Sequence, residues 1–169
     1  MTERVRRVAE RIRQELAAIE RVVRRAGRAM AAARRRPDEQ DLYLDSAALC
    51  LHDFYTGVER IFQQIAAVLD EAVPSGRDWH EALLQQMAAE RVPDRPAVIA
   101  GATRQVLEEF LRFRHVVRNI YAFEFDPERV GRLVERLEDG FGHARRDLLA
   151  FAEFLEQVAQ GRFLHWYRS

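Results

Sequence analysis

The sequence predicts an all-α protein: an up-and-down bundle of four long helices plus one short helix, forming a single domain over residues 1–169. Three observations lead there. Apolar residues recur at spacings of three and four through long blocks, the pattern of helices with one buried face. The five prolines all fall between those blocks, where a helix stops or restarts. The chain is 48% hydrophobic and 32% charged, the balance of a core-forming bundle with a solvated surface, and 169 residues suffice for a real core.

The first helix is expected over residues 3–35. Val5, Val8, Ile12, Leu16, Ile19, Val23, Ala26 and Met30 line one face and arginines fill the other. Pro37 ends it, and Asp38 is placed to cap the next helix, expected over 39–71. Phe54, Val58, Ile61, Phe62, Ile65 and Leu69 make that second helix the central strut. It also carries Asp45, His52, Asp53 and Glu59. His52 and Asp53 are neighbours, so they diverge by about 100° around the axis and are not read as an acid–base pair.

Pro74-Ser75-Gly76 reads as a turn. Asp78 followed by Glu81 has the spacing of a capping box for a short helix over 79–89, in which Trp79 is read as a packing residue. A loop with two prolines, Arg91 to Pro96, follows; in a ribonuclease it could border the site. The fourth helix, over 98–122, contributes Val106, Leu107, Phe110, Leu111, Phe113 and Val117 to the core. Asp126-Pro127-Glu128 restarts the chain as a fifth helix over 127–160: an N-cap, a proline in the first turn, then an acid. Gly140-Phe141-Gly142 marks a point where that helix can kink or split. The tail Phe163-Leu164-His165-Trp166-Tyr167 is apolar and aromatic, suited to folding back on the bundle or meeting another chain.

Net charge is zero but unevenly spread. Residues 1–36 hold 12 Arg and 4 Glu; the remainder holds 15 Arg and 23 acidic residues. The long basic N-terminal helix can meet RNA phosphates or an acidic face of its own bundle or a partner, and the zero net charge favours the second. Every basic residue apart from histidine is Arg, which reads as coding bias rather than chemistry. No apolar run is long enough for a membrane span, and the Arg-rich start has no apolar signal core, so a cytoplasmic protein without membrane contact is expected. Cys50 stands alone, so no internal disulfide is expected. Neither a metal-ligand cluster nor a phosphate-cradling Gly loop is visible, so no metal or cofactor is expected.

The chemistry concentrates between Leu111 and Asp126. On a continuous helix Arg114, Arg118 and Tyr121 form one stripe, with His115 beside it and Asn119 one turn further on. Guanidinium, imidazole, amide and phenol groups bind and transfer phosphates and pack poorly as a core. Arg114, four residues, Asn119, one residue, Tyr121 resembles the Arg-x4-His-x-Tyr signature of the HepT-like branch of the HEPN superfamily. The resemblance is close over the motif helix and looser from Leu42 to Leu69 and after Asp126; the first 35 or so residues show none. Arg136 and His143 repeat the spacing loosely, but glycines interrupt them and no tyrosine follows, a chance match in an Arg-rich chain.

The resemblance implies an all-helical, metal-independent ribonuclease toxin. It implies a homodimer whose two motifs share a cleft, and a minimal nucleotidyltransferase antitoxin as partner. It also implies that Tyr121 holds the place of a tyrosine the partner can adenylylate. Asn119 departs from the pattern, for it stands where the catalytic His belongs. Cleavage needs a 2′-hydroxyl deprotonated and a leaving oxygen protonated; histidine does this near neutral pH, and an amide does not. Three readings therefore stand. His115 takes the catalytic role, with Arg114 and Arg118 on the phosphate. Alternatively, the chain is a degenerate member that binds RNA or a partner without cleaving. Or the stripe seals a dimer, making the protein a non-enzymatic helical interaction module.

Overall fold

Among the described residues five helices form, the four long ones where the apolar periodicity places them. The computed structural model describes residues 2–119, 121 and 124–162. The helices are α1 (Thr2–Arg35), α2 (Gln40–Ile65), α3 (Trp79–Ala88), α4 (Gly101–Asn119) and α5 (Pro127–Ala159). The architecture is an up-and-down bundle of four long helices with the short α3 packed on α2 and α4. The aromatic tail after Arg162 lies outside the described residues.

α2 is the hub. It meets α1, α3, α4 and α5, and it buries Leu51, Phe54, Val58, Ile61, Phe62 and Ile65 in one cluster shared by all five helices. α1 packs on α2 and α5, burying the apolar face expected of it. Gly57 lets α1 approach closely: a Cβ there would lie 2.7 Å from Ile19 Cγ1. Part of the Arg-rich face of α1 docks on the bundle itself. Arg13 makes a forked contact with Glu156 at 3.1 Å, and Arg34 reaches Glu135 at 2.7 Å. Both pairs are well exposed and so contribute at most about 1 kcal/mol each.

Helix ends differ from expectation in instructive ways. Asp126 caps α5 as expected, accepting a bond from Glu128 N at 3.0 Å. Asp38 and Asp78 make no side-chain cap. Asp38 lies within a 3-10 turn, Pro37–Glu39, and Asp78 offers only its carbonyl, to Ala82 N. The second helix widens into a π-type turn, Ala66–Asp70, and stops at Glu71 in the left-handed region, φ 49°. α4 starts at Gly101 rather than Val98, because Val98 N and Ile99 N bond back to Met87 O and hold the chain off the helical path. Asp147 on α5 then serves the start of α4, accepting from Ala100 N at 2.9 Å and Thr103 Oγ1 at 2.6 Å. α5 runs unbroken through Gly140 and Gly142. Gly140 serves packing instead: a Cβ there would sit 2.9 Å from Phe110 Cε2 and 3.2 Å from Val106 Cγ1 on α4.

The loop between α3 and α4 is anchored from inside. Arg95 is 1% exposed, and all five of its guanidinium N–H groups have partners. Nε and Nη2 fork onto Asp70 at 2.6 and 2.7 Å, and the rest reach the carbonyls of Gln86, Ala89 and Pro96. Gln86 Nε2 donates a third hydrogen bond to Asp70. The loop is thus tied to the C-terminal end of α3, away from the motif contact at its N-terminal end.

Candidate functional site

The site lies where the N-terminus of α3 meets the C-terminal half of α4 over the middle of α2. α4 turns Phe110, Leu111, Phe113 and Arg114 inward together. Phe110 meets Phe54 of α2 edge-on at 5.0 Å, which fixes the rotation of α4 and carries Arg114 into the interior.

Arg114 is therefore only 8% exposed. Its Nη1 lies 3.2 Å from His80 Nε2, and its Nη2 lies 3.5 Å from Glu59 Oε1. His80 Nδ1 lies 2.5 Å from Glu59 Oε2, and both of those side chains are buried as well. The three groups form a closed internal network drawn from three helices. Isolated, each would be costly to bury; paired, the carboxylate balances the guanidinium. Tyr55, one turn before Glu59, is buried beside them. Burial pushes its phenol far above the usual range, and the Glu59 charge adds to this, so Tyr55 stays neutral and donates no proton here.

The remaining motif residues face outward. His115 and Arg118 are exposed. The His115 ring stands edge-on to His80 with centroids 5.8 Å apart, and the Trp79 ring lies against His80, tilted, with centroids 3.6 Å apart. Trp79 is half-buried and packed against the core, in keeping with a packing role. Asn119 is exposed and bonds back to its own helix, Nδ2 to His115 O at 2.6 Å. α4 ends at Asn119, so Tyr121 lies past the helix rather than on a continuous stripe. It is 72% exposed, and its backbone exchanges bonds with Glu124. The expected stripe of Arg114, Arg118 and Tyr121 is thus split: Arg114 points into the core, the other two point to solvent.

A model of the HepT-like protein family matches residues 46–155, more than half of the chain. The chain belongs to the HepT-like family. No curated protein and no solved structure gives a significant match. The HepT-like match omits α1, the segment in which the sequence shows no resemblance, although α1 contributes to the same core.

Sequence reasoning overlooked the roles of Glu59 and His80 in this HepT-like chain. A signal existed for Glu59. It falls four residues after Tyr55 and three before Phe62, on the apolar face of α2, where an unpaired carboxylate would be prohibitive. His80 carried none, because its neighbours read as a helix start. Elsewhere, His52 and Asp53 do touch, Nδ1 to Oδ1 at 3.3 Å, despite their divergence around the helix, but at the surface. Arg136 and His143 serve surface pairs with Glu109 and Asp139. Among the described residues no three His, Cys, Asp or Glu groups converge to hold a metal, and no helix is long and apolar enough to cross a membrane.

Proposed function

We propose that this HepT-like chain is a toxin–antitoxin component that has kept the RNA-contacting face of a metal-independent ribonuclease and lost most of the cleavage chemistry. The observation that carries this reading is the inward commitment of Arg114 to Glu59 and His80, with Asn119 turned back on its own helix. A guanidinium held by an internal carboxylate does not stabilise a phosphate, and an amide does not move the proton. His115 and Arg118 remain exposed and suited to phosphate contact. One observation favours a second reading, an active enzyme. His115 is exposed beside Arg118, and as an imidazole it has the chemistry to act as the base.

In this account the end of α4 faces a second copy across a cleft, and a minimal nucleotidyltransferase neutralises the complex in the cytoplasm. The 72% exposure of Tyr121 supports adenylylation by that partner, and Arg118 lies near in sequence to compensate the added phosphate. Two measurements test the proposal. RNA binding followed by fluorescence anisotropy should weaken in Arg118→Ala and His115→Ala; unchanged binding in both contradicts the RNA face. Incubation with the nucleotidyltransferase, ATP and magnesium should add adenylate to wild type and not to Tyr121→Phe. An unmodified chain, given a partner active on another substrate, removes the modification.

A further inference from the structure

The two interior arginines are held differently. Arg95 has every N–H matched, two of them by a close carboxylate fork. Arg114 does not. Its Nε is buried without a hydrogen-bond partner, its contact with Glu59 is a loose 3.5 Å, and its shortest contact is with an imidazole nitrogen. A buried donor left unmet opposes burial, so this resting place is held by what faces it rather than by full satisfaction.

What faces it is specific about its proton. Glu59 Oε2 lies 2.5 Å from His80 Nδ1, and because a carboxylate oxygen accepts, this contact calls for the hydrogen on Nδ1. A neutral imidazole then has a bare Nε2, which accepts from Arg114 Nη1 at 3.2 Å. The other tautomer would set an N–H against a guanidinium N–H. Glu59 therefore acts on Arg114 twice, by its charge and by orienting His80. The outlet is adjacent: His115, next in sequence, is exposed, and its ring borders His80. Other titratable groups around the network are Tyr55 from α2, with Glu81 of α3 and Glu108 of α4 close enough to act on that phenol.

We propose that His80, held as the Nδ1–H tautomer by Glu59, is the positioning residue for the motif arginine: it keeps the Arg114 guanidinium inside, and removing its acceptor nitrogen lets Arg114 turn to the RNA face. This rests on the RNA-binding reading above and adds to it the residue that sets how much charge that face presents.

The test compares wild type, His80→Gln and His80→Asn in the full chain. A glutamine side-chain oxygen reaches the place of Nε2 and still accepts from Arg114; the shorter asparagine does not. Binding to a short single-stranded RNA oligonucleotide is measured across salt concentrations. One added phosphate contact steepens the slope of log K on log salt by about 0.7. His80→Asn should show that increase, His80→Gln should match wild type, and adding Arg114→Ala to His80→Asn should cancel it. A His80→Asn slope equal to wild type overturns the proposal. Nitrogen-15 NMR of the wild-type imidazole gives a readout independent of RNA and of any variant's folding: Nδ1 protonated and Nε2 bare supports the role, and the opposite tautomer overturns it. If no form binds RNA, the RNA reading alone fails. Hydrogen exchange at the Arg114 guanidinium then decides: faster in His80→Asn than in His80→Gln supports the positioning role, and equal rates end it.

Discussion

Asp70→Asn should be among the costliest single changes in this protein. The substitution keeps the side chain's volume and removes its charge and one acceptor oxygen. Asp70 and Arg95 are 0% and 1% exposed at the side chain, so solvent offers Arg95 no replacement. The two forked bonds, at 2.6 and 2.7 Å, are the only close carboxylate contacts Arg95 has; its other three bonds go to neutral carbonyls. Removing one partner of such a pair costs about 3–5 kcal/mol, because a buried charge is left uncompensated. With a urea slope of about 2 kcal/mol/M, the unfolding midpoint should fall by roughly 1.5–2.5 M. Helical circular dichroism against urea measures it. The double variant Asp70→Asn/Arg95→Met removes both charges and should recover part of that loss. A midpoint shift of less than about 0.5 M in the single variant, on the same slope, would refute the claim that this pair anchors the α3–α4 loop. So would a double variant less stable than the single one.

Three further outcomes follow from packing and charge. Gly140→Ala forces a methyl against Phe110 and Val106 and should cost about 1–3 kcal/mol by thermal or urea unfolding. Gly142→Ala meets open space in the same helix and should stabilise by about 0.5–1 kcal/mol; equal effects at the two sites would contradict the α4–α5 contact. Burial pushes the Asp147 carboxyl upward, but bonds from Thr103, Ala100 and Arg146 outweigh it and hold the carboxyl below its usual 3.8. A depressed folded value stabilises above the unfolded value, and that contribution is lost as pH falls from near 3.8 through the folded value. Unfolding curves across that range should therefore fall less steeply for Asp147→Asn than for wild type; parallel curves would remove this role.

Much of the fold could be read from periodicity. Four apolar stripes gave the four long helices, a cap-and-acid spacing marked the short α3, and Asp126-Pro127-Glu128 marked the start of α5 because a cap and a proline act locally. Ends set by distant partners could not be read. The late start of α4 depends on Met87 and Asp147, and the π-type turn at Ala66–Asp70 ends beside an arginine 25 residues on from Asp70. The same distinction governs the site. The motif residues were visible as a sequence pattern, whereas the inward turn of Arg114 depends on Phe54, Glu59 and His80, which come from two other helices. An arginine buried alone would be costly, and here the carboxylate of Glu59 offsets that cost for Arg114.

The loss of cleavage chemistry is tested most directly by incubating single-stranded RNA with purified protein in excess chelator and following the products over time. Wild type should cut weakly or not at all, and Asn119→His should raise the rate, because it restores a proton-transferring group at the motif position. Efficient cutting by wild type that His115→Ala abolishes would contradict the account and make His115 the catalyst.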